Sequence, residues 1–229
     1  MAAVLGPLLG GAVAAWLWFR GPYLIVTWLG AQRQGEDQAP RIHNILDWLC
    51  AGCGLVKPDL YVVDSPALSA MSLGRNRRET YLVVTSGLLE GLDSVEMEGV
   101  VAHELCHLRG PGPSAVTVAG IIGMGLAAIG VAKSICSLLV QDQRELEADL
   151  AAVAMTRYPP GLLGALGKME SACLASCEVQ PRSWRFRAAV VATEPLWLSP
   201  IQEQGSRILG GESGSLASLR LRMEALREL

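Results

Sequence analysis

The feature that most constrains this chain is a pair of histidines one helical turn apart, in His103-Glu104-Leu105-Cys106-His107. Residues at i and i+4 lie on one face of an α-helix, so both imidazoles can reach a single zinc ion. Glu104 lies on the adjoining part of that helix, near enough to take a proton from a zinc-bound water. The motif therefore predicts a zinc-dependent hydrolase with Glu104 as the catalytic base.

The sequence around this motif predicts the helix that the motif requires. Asp93-x-x-Glu96 is a helix-capping signature, and apolar residues follow at helical spacing as far as Leu108. The run Gly110-Pro111-Gly112-Pro113 then ends the helix. An ordinary core or surface helix that matches the short motif by chance is the alternative. The third histidine of the chain, His43, stands alone on another predicted helix, and we expect it to be structural.

A catalytic zinc ion has three protein ligands and one position open for water. With the histidines used, the third ligand should be a carboxylate or a thiol, and Glu145 is the strongest candidate. Glu145 and Asp149 share a helical face, so one can bind the metal while the other orients a ligand histidine. Glu147 points about 200° around the same helix and is the poorer candidate. Cys106 points away from the histidine face, which favours packing, and an exposed acidic helix face is the alternative for the carboxylates.

The cysteines offer a second, weaker metal hypothesis. Cys50 and Cys53 form a C-x-x-C pair, and Cys173 and Cys177 lie one helical turn apart. Four thiolates could hold a zinc ion. Cys50 and Cys53 lie in the apolar pattern of a helix predicted over 41–54, however, and small buried thiols are ordinary there. Core packing is therefore the favoured interpretation.

The first residues of the chain predict a membrane anchor. Residues 2–19 carry no charge, and Arg20 ends this run. The length of the run is at the lower limit for a membrane-spanning helix. Several aromatic residues of the kind that favour the bilayer interface follow or end it, namely Trp16, Trp18, Tyr23 and Trp28. A secretory signal cleaved near 12–14 is the alternative, but no Lys or Arg precedes the apolar run. We therefore expect an uncleaved anchor region over 1–31.

Charge then predicts where the body lies and what it does not bind. Arg20, Arg33 and Arg41 all follow the apolar run, and the positive-inside rule puts the body in the cytoplasm, at the cell membrane. A formal net charge of −3 argues against a nucleic-acid partner, because nucleic-acid binders normally carry a basic excess. Membrane lipid is the expected contact instead.

The rest of the chain predicts a mainly helical α+β domain with a small sheet. The polar stretch 32–40 is a predicted linker, and 41–229 is the predicted zinc metallopeptidase domain. Residues 60–63 and 81–85 are rich in β-branched and aromatic side chains and predict strands. Between them, 67–73 is a third candidate strand, followed by a basic turn over 74–78.

A long apolar segment, 114–140, lies between the two parts of the predicted site. Because His107 and Glu145 must meet at one metal ion, the chain between them crosses a bilayer an even number of times. Two crossings need about 40 residues plus a turn, which exceeds the length available. Lys133 would also be costly near the bilayer centre. We therefore expect 114–140 to be a buried helix, a shallowly inserted helix or a re-entrant hairpin.

The motifs together resemble the HtpX and CAAX prenyl protease family, peptidase family M48, whose members are zinc-dependent membrane-associated peptidases. The resemblance is carried by the runs 83–89 and 98–107, and by Glu145-Leu146-Glu147-Ala148-Asp149, which matches the E-x-x-A-D motif of the family. It covers about residues 40–170, and 222–226 is similar to the closing helix of the family.

This resemblance implies the roles of the site residues. His103, His107 and Glu145 would bind one Zn²⁺ per chain, Glu104 would be the general base, and Asp149 would support the site from outside the metal's own ligands. The implied fold is zincin-like, of the gluzincin type, with the small sheet beside the HExxH helix. The implied activity is that of a membrane-associated endopeptidase, and the implied substrates are polypeptides, misfolded membrane proteins among them.

The sequence departs from the family pattern in three places. The strand at the edge of the substrate cleft usually carries Asn-Ala-Phe-Ala, whereas this chain has Ser69-Ala70-Met71-Ser72. If that edge holds substrate by β-pairing, the backbone contacts persist without the Asn contact. No histidine follows His107, so the late His-Pro element is missing, and the segment between the two motifs is shorter than in HtpX.

These departures leave a second class of function open, a membrane-anchored zinc protein that senses or binds a partner without cleaving it. The presence of Glu104 argues against it, because a structural zinc site gains nothing from that carboxylate and is more often closed by a fourth protein ligand. A prenyl-protein processing enzyme would use the same chemistry. That branch of the family has many membrane helices, for which this chain is too short.

Overall fold

A four-stranded mixed sheet with helices on both faces forms the body of the molecule. The computed structural model describes residues 15–16, 18–110, 117, 142–174, 186, 189–190, 193, 197–199 and 214–228. Within them, helices greatly outnumber strands. The predicted mainly helical α+β class with a small sheet is confirmed.

Between 40 and 109 the predicted helices and strands occur in the predicted order. The helices are α1 (18–28), α2 (Pro40–Cys53), α3 (Ser86–Gly91), α4 (Ser94–Arg109), α5 (Asp142–Thr156), α6 (Pro159–Leu174) and α7 (Gly214–Arg227). The strands are β1 (Gln32–Arg33), β2 (Asp59–Val63), β3 (Ala70–Asn76) and β4 (Glu79–Thr85). They lie in the order β1-β2-β4-β3, and β2 and β4 are parallel while the other pairs are antiparallel. This order puts β3 at one edge of the sheet.

The β3–β4 hairpin is longer than predicted. The strand expected over 67–73 continues to Asn76, so most of the basic turn expected over 74–78 belongs to β3. The side chain of Asn76 explains the tight turn, because its Oδ1 accepts hydrogen bonds from the backbone N–H groups of Arg78 at 2.8 Å and Glu79 at 3.0 Å. An ion pair between Arg75 and Glu79 also joins the two strands next to the turn.

The stretch expected to be a linker, 32–40, contains a strand. Gln32 and Arg33 pair with β2, and the remaining residues lead into α2 at Pro40. The end of α1 also packs on the sheet, since Ile25 and Leu29 are fully buried against it. The division of the chain into an anchor region, a linker and a peptidase domain stays a prediction.

The membrane predictions concern parts of the chain that are mostly outside the described residues. That applies to 1–14 and 17 of the expected anchor, and to all of 114–140 except Thr117. Among the helices that are described, none is both long and apolar enough to cross a bilayer.

The two faces of the sheet carry separate apolar cores. On one face, side chains of the sheet such as Leu60 and Leu82 pack with α2, α4 and α6. On the other face, Met71 and Val83 pack with α1 and with Phe186, Ala189, Val190 and Trp197. The first core holds the predicted active-site helix α4 against the sheet. Helices α4 and α6 approach closely at Gly99, where a Cβ would lie 2.7 Å from the backbone nitrogen of Leu162.

Candidate metal centre

Helix α4 begins at a complete capping box, as the sequence predicts. The Asp93 carboxylate accepts hydrogen bonds from the N–H groups of Val95 and Glu96, each at 2.9 Å. The Glu96 carboxylate accepts a hydrogen bond from the N–H of Asp93 at 2.9 Å. It also forms an ion pair with Lys168 of α6 at 2.6 Å. These contacts fix the start of α4, and the buried core fixes its rotation.

The two motif histidines converge with Glu145 of α5. The Nε2 atoms of His103 and His107 lie 3.0 Å apart. Glu145 approaches both, with its Oε2 3.4 Å from His103 Nε2 and its Oε1 3.3 Å from His107 Nε2. Among the residues described, these three form the His/Cys/Asp/Glu group whose ligand atoms lie within 4.8 Å of one another.

These separations fit a single tetrahedral metal ion. Ligand atoms bound about 2.0–2.1 Å from a tetrahedral zinc lie about 3.3–3.4 Å from each other. The 3.0 Å between the two Nε2 atoms, and the 3.4 and 3.3 Å from them to the two oxygens of Glu145, are close to that spacing. Two imidazole nitrogens and one carboxylate are also a donor set that zinc enzymes use. The donors present therefore fit zinc, and three protein donors leave the fourth position of a tetrahedral ion to solvent.

Asp149 fixes the orientation of His103. Its Oδ1 lies 2.7 Å from His103 Nδ1, so the ring donates its Nδ1–H to the carboxylate and leaves Nε2 for a metal. Burial alone would lower the pKa of His103, but the charge and hydrogen bond of Asp149 raise that pKa to about 9. A metal at Nε2 would take the place of a proton there, while the Nδ1–H stays hydrogen-bonded to Asp149.

The charge of Glu145 is also stabilised within the group. Burial alone would raise the pKa of this carboxyl, but hydrogen bonds with His103 and His107 hold it well below its usual range. Glu145 is therefore ionised at neutral pH and ready to bind a cation. The two carboxylates of α5 divide the tasks that the sequence left open, since Glu145 faces the meeting point of the imidazoles and Asp149 lies behind His103.

Arg222 of α7 completes this network, and sequence reasoning missed its role. Its Nε and Nη2 donate hydrogen bonds to the two carboxylate oxygens of Asp149, both at 2.6 Å. Its Nη1 lies 3.4 Å from Glu145 Oε2. Arg222 is almost fully buried. Its place in the run similar to the closing helix of the family was the available signal, but the sequence does not show that this side chain points inward.

We expect Arg222→Gln to destabilise the fold much more than Arg220→Gln. Removing Arg222 takes away two hydrogen bonds to the buried Asp149 carboxylate and leaves only His103 beside it, and breaking a buried ion pair typically costs about 3 kcal/mol of unfolding free energy. Arg220 lies two residues away on α7 and pairs with Glu170 near the surface, where such a pair is worth about 1 kcal/mol or less. Denaturant unfolding of both variants measures the difference. Equal losses would show that the Asp149 pair is not a structural contact.

Glu104 lies beside the metal-binding group in a buried position. It is 2% exposed, and burial raises its pKa, while the nearby histidines act in the opposite direction. The side chain of Ser72 on β3 forms a hydrogen bond with it, which also favours the ionised form. The carboxylate thus lies between the metal-binding group and the edge strand, where a base for peptide hydrolysis is needed.

The predicted substrate edge is partly occupied by the chain itself. Leu198 donates its N–H to the Ala70 carbonyl at 2.8 Å, and Ser69 Oγ donates to the Ser199 carbonyl at 2.6 Å. Thr117 Oγ1 bonds both the N–H and the C=O of Gly74, at 3.0 and 2.9 Å. In a strand, the backbone N–H and C=O groups of every second residue point to the same edge. The backbone groups of Ser72 therefore point to the same edge as those of Ala70 and Gly74, and lie between them. Met71 faces the opposite core.

The remaining candidates lie outside the metal-binding group. Glu147 is exposed, as its position on the helix predicts. Cys106 packs against the first core, and Cys50 is buried within it, so the packing interpretation is confirmed for both. His43 is buried, with Nε2 3.1 Å from the Gln34 carbonyl, which agrees with a structural role. Cys177 lies outside the described residues.

Comparison with known proteins agrees with this arrangement. The family model described as Peptidase family M48 matches residues 36–200. A Protease HtpX homolog of Tropheryma whipplei (strain TW08/27) is 32% identical over 197 residues, which cover 71% of this chain and 67% of the relative. A Protease HtpX homolog of Dictyoglomus turgidum is 28% identical over 208 residues, covering 76% and 65%.

A relative from Streptococcus pyogenes serotype M28, also named Protease HtpX homolog, is 25% identical over 259 aligned positions, covering 91% of this chain and 86% of the relative. The chain thus spans only about two thirds of the length of the first relatives that it matches. No solved structure matches it. Since the family model covers well over half of the chain, including α4 and α5, the chain belongs to peptidase family M48.

Proposed function

We propose that this chain is a membrane-associated, zinc-dependent endopeptidase. The observation that carries the proposal is the convergence of His103, His107 and Glu145 from two helices, with the buried Glu104 beside them. Membership of a peptidase family supports hydrolysis of polypeptides as the reaction class. Zinc is the metal we infer, because two imidazoles and a carboxylate at tetrahedral spacing suit it.

The proposed mechanism assigns a separate task to each side chain. His103, His107 and Glu145 would hold the zinc, which supplies Lewis-acid activation of water and of the scissile carbonyl. Glu104 takes a proton from the attacking water and passes it to the amine that leaves. Asp149 keeps His103 oriented and Arg222 keeps Glu145 oriented, because each contacts that side chain directly.

We infer that the substrate binds in extended form along β3. The support is the position of β3 at the sheet edge and the hydrogen bond between Ser72 and Glu104. A peptide that pairs with the backbone of Ser72 would lie next to the proposed base. Misfolded membrane proteins are the substrates we propose, from the resemblance to the HtpX family and the apolar N-terminal sequence. The cell membrane, with the catalytic body in the cytoplasm, is the proposed location.

A non-catalytic zinc protein is the competing proposal. A structural zinc site is usually closed by four protein ligands. Within the described residues the group has three, and a carboxylate suited to proton transfer lies beside it. Both observations favour the enzyme.

Removal and return of the metal tests the proposed function. We expect the purified chain to cleave casein, to lose nearly all activity with a zinc chelator, and to regain it when about one equivalent of zinc is added. Circular dichroism before and after chelation separates loss of metal from loss of fold. Cleavage that persists in the metal-free, folded protein would contradict zinc dependence, and a fully zinc-loaded protein without cleavage would favour the non-catalytic alternative.

A further inference from the structure

The turn between β3 and β4 carries a cluster of arginines that the proposed chemistry does not use. Arg75, Arg77 and Arg78, here called the basic hairpin, lie within four positions, and Arg77 and Arg78 are exposed. Glu79 pairs with Arg75. The hairpin therefore keeps an excess of positive charge directed at solvent, although the chain as a whole has a formal net charge of −3.

Helix α1 and the residues just before it present an aromatic face on the same side of the molecule. Trp16, Phe19 and Tyr23 follow the i, i+3, i+7 spacing of one helix face and are 54%, 63% and 51% exposed. The opposite face of the helix, with Ile25 and Leu29, is buried on the sheet. Large aromatic side chains on an exposed face mark a contact with a partner or a membrane.

Two contacts connect residues of the two apolar stretches of the sequence, 2–19 and 114–140, to the base of the basic hairpin. The Arg75 guanidinium lies over the Phe19 ring, 4.7 Å from its centroid, and Phe19 is the last residue of the uncharged run 2–19. The neighbouring residue, Gly74, is hydrogen-bonded through both backbone groups to Thr117, which belongs to the apolar segment 114–140. Phe19 and Thr117 therefore contact adjacent residues of β3.

We propose that the basic hairpin and the aromatic face form one docking surface for an anionic phospholipid bilayer. Aromatic side chains favour the interface of a bilayer, and arginine matches a phosphate with two parallel hydrogen bonds. With the apolar stretches beside it, the hairpin lies at the level where headgroup phosphates begin. This inference rests on the membrane association proposed above, and adds the lipid class and the residues that select it.

The docking surface also fixes how the cleft faces the membrane. Ser72, which contacts Glu104, precedes Gly74 by two residues on the same strand. A strand advances about 3.4 Å per residue, so the cleft lies about 7 Å along β3 from the hairpin base. A polypeptide segment that emerges from the bilayer would then need only a short extended stretch to reach the cleft.

Binding of the full chain to lipid vesicles tests the proposal. The vesicles contain either phosphatidylcholine alone or phosphatidylcholine with about 30% phosphatidylglycerol, and the measured quantity is the ratio of the two affinities. A basic residue near an anionic surface is worth about fivefold in affinity. We therefore expect Arg77→Glu with Arg78→Glu to lower the preference for anionic vesicles by about 25-fold or more.

A matched control has the same change in charge at another place. Arg157 follows α5 and Arg227 ends α7, and both are exposed. Arg157→Glu with Arg227→Glu should leave the preference for anionic vesicles unchanged. Because Arg77 and Arg78 are exposed, the test variant should fold. Raising salt from about 0.1 M to about 1 M on the unaltered chain gives an independent measurement, and should remove most of the preference.

The possible results separate this inference from the proposed function. Equal affinity of the unaltered chain for both kinds of vesicle, or equal loss in the test and control variants, would overturn the lipid selection by the basic hairpin. Failure to bind either kind of vesicle would overturn both the docking surface and the proposed membrane association. Casein cleavage by the test variant in detergent should be unchanged, since neither arginine contacts the metal-binding group.

Discussion

Glu104→Gln is expected to lower kcat/KM for peptide hydrolysis by about 10²- to 10⁴-fold, the range that a positioned general base contributes. The amide has the size and shape of the carboxylate and can keep the contact with Ser72, but it cannot take a proton. Since Glu104 is not one of the three residues of the metal-binding group, zinc content should stay near one per chain.

Glu98→Gln is the matched control for this variant. This substitution makes the same chemical change on the same helix. Glu98 is partly buried and lies outside the metal-binding group. Its activity should match that of the unaltered enzyme. If Glu104→Gln hydrolysed peptide at the normal rate, another group would have to be the base. If it lost its zinc, the defect would be one of metal binding rather than of proton transfer.

Glu145→Ala is expected to lower zinc affinity by more than about 100-fold, because residues that only orient a ligand already cost 10- to 100-fold when changed. The change removes the carboxylate that lies next to both imidazoles, so the metal would keep only two protein ligands. It also removes a contact of Arg222, but leaves the hydrogen bonds between Arg222 and Asp149 intact. The fold should therefore survive.

Glu147→Ala provides the comparison on the same helix. Its side chain is exposed two positions away, so zinc affinity should be unchanged. Titration of each metal-free variant with zinc in the presence of a competing chelator measures the affinities. Equal affinities for the two variants would remove Glu145 from the metal site.

The part of the site that the sequence predicts is the part set by helical geometry. His103 and His107 face one point because i and i+4 always do, and Glu145 and Asp149 share a face for the same reason. The capping box of Asp93 is equally local. The prediction that α4 and α5 meet had two other sources. A catalytic zinc ion needs a third protein ligand, and the family resemblance places that ligand at Glu145.

The parts that the sequence did not predict depend on tertiary contacts. Arg222 is a charged residue in a polar helix, and only the presence of Asp149 opposite makes its burial favourable. β1 is two polar residues that form a strand because β2 offers a free edge. β3 continues beyond Gly74 because the Arg75–Glu79 ion pair and the turn at Asn76 close a hairpin with β4. The residues after Gly74 are polar, so the sequence pattern does not identify them as part of a strand.

The most direct test of the account is X-ray absorption spectroscopy at the zinc edge on the purified, zinc-loaded chain. We expect one zinc with two imidazole nitrogens at about 2.0–2.1 Å, together with oxygen ligands at about 2.0–2.2 Å from Glu145 and solvent. Sulfur ligands at about 2.3 Å, or a zinc environment without imidazole, would contradict it.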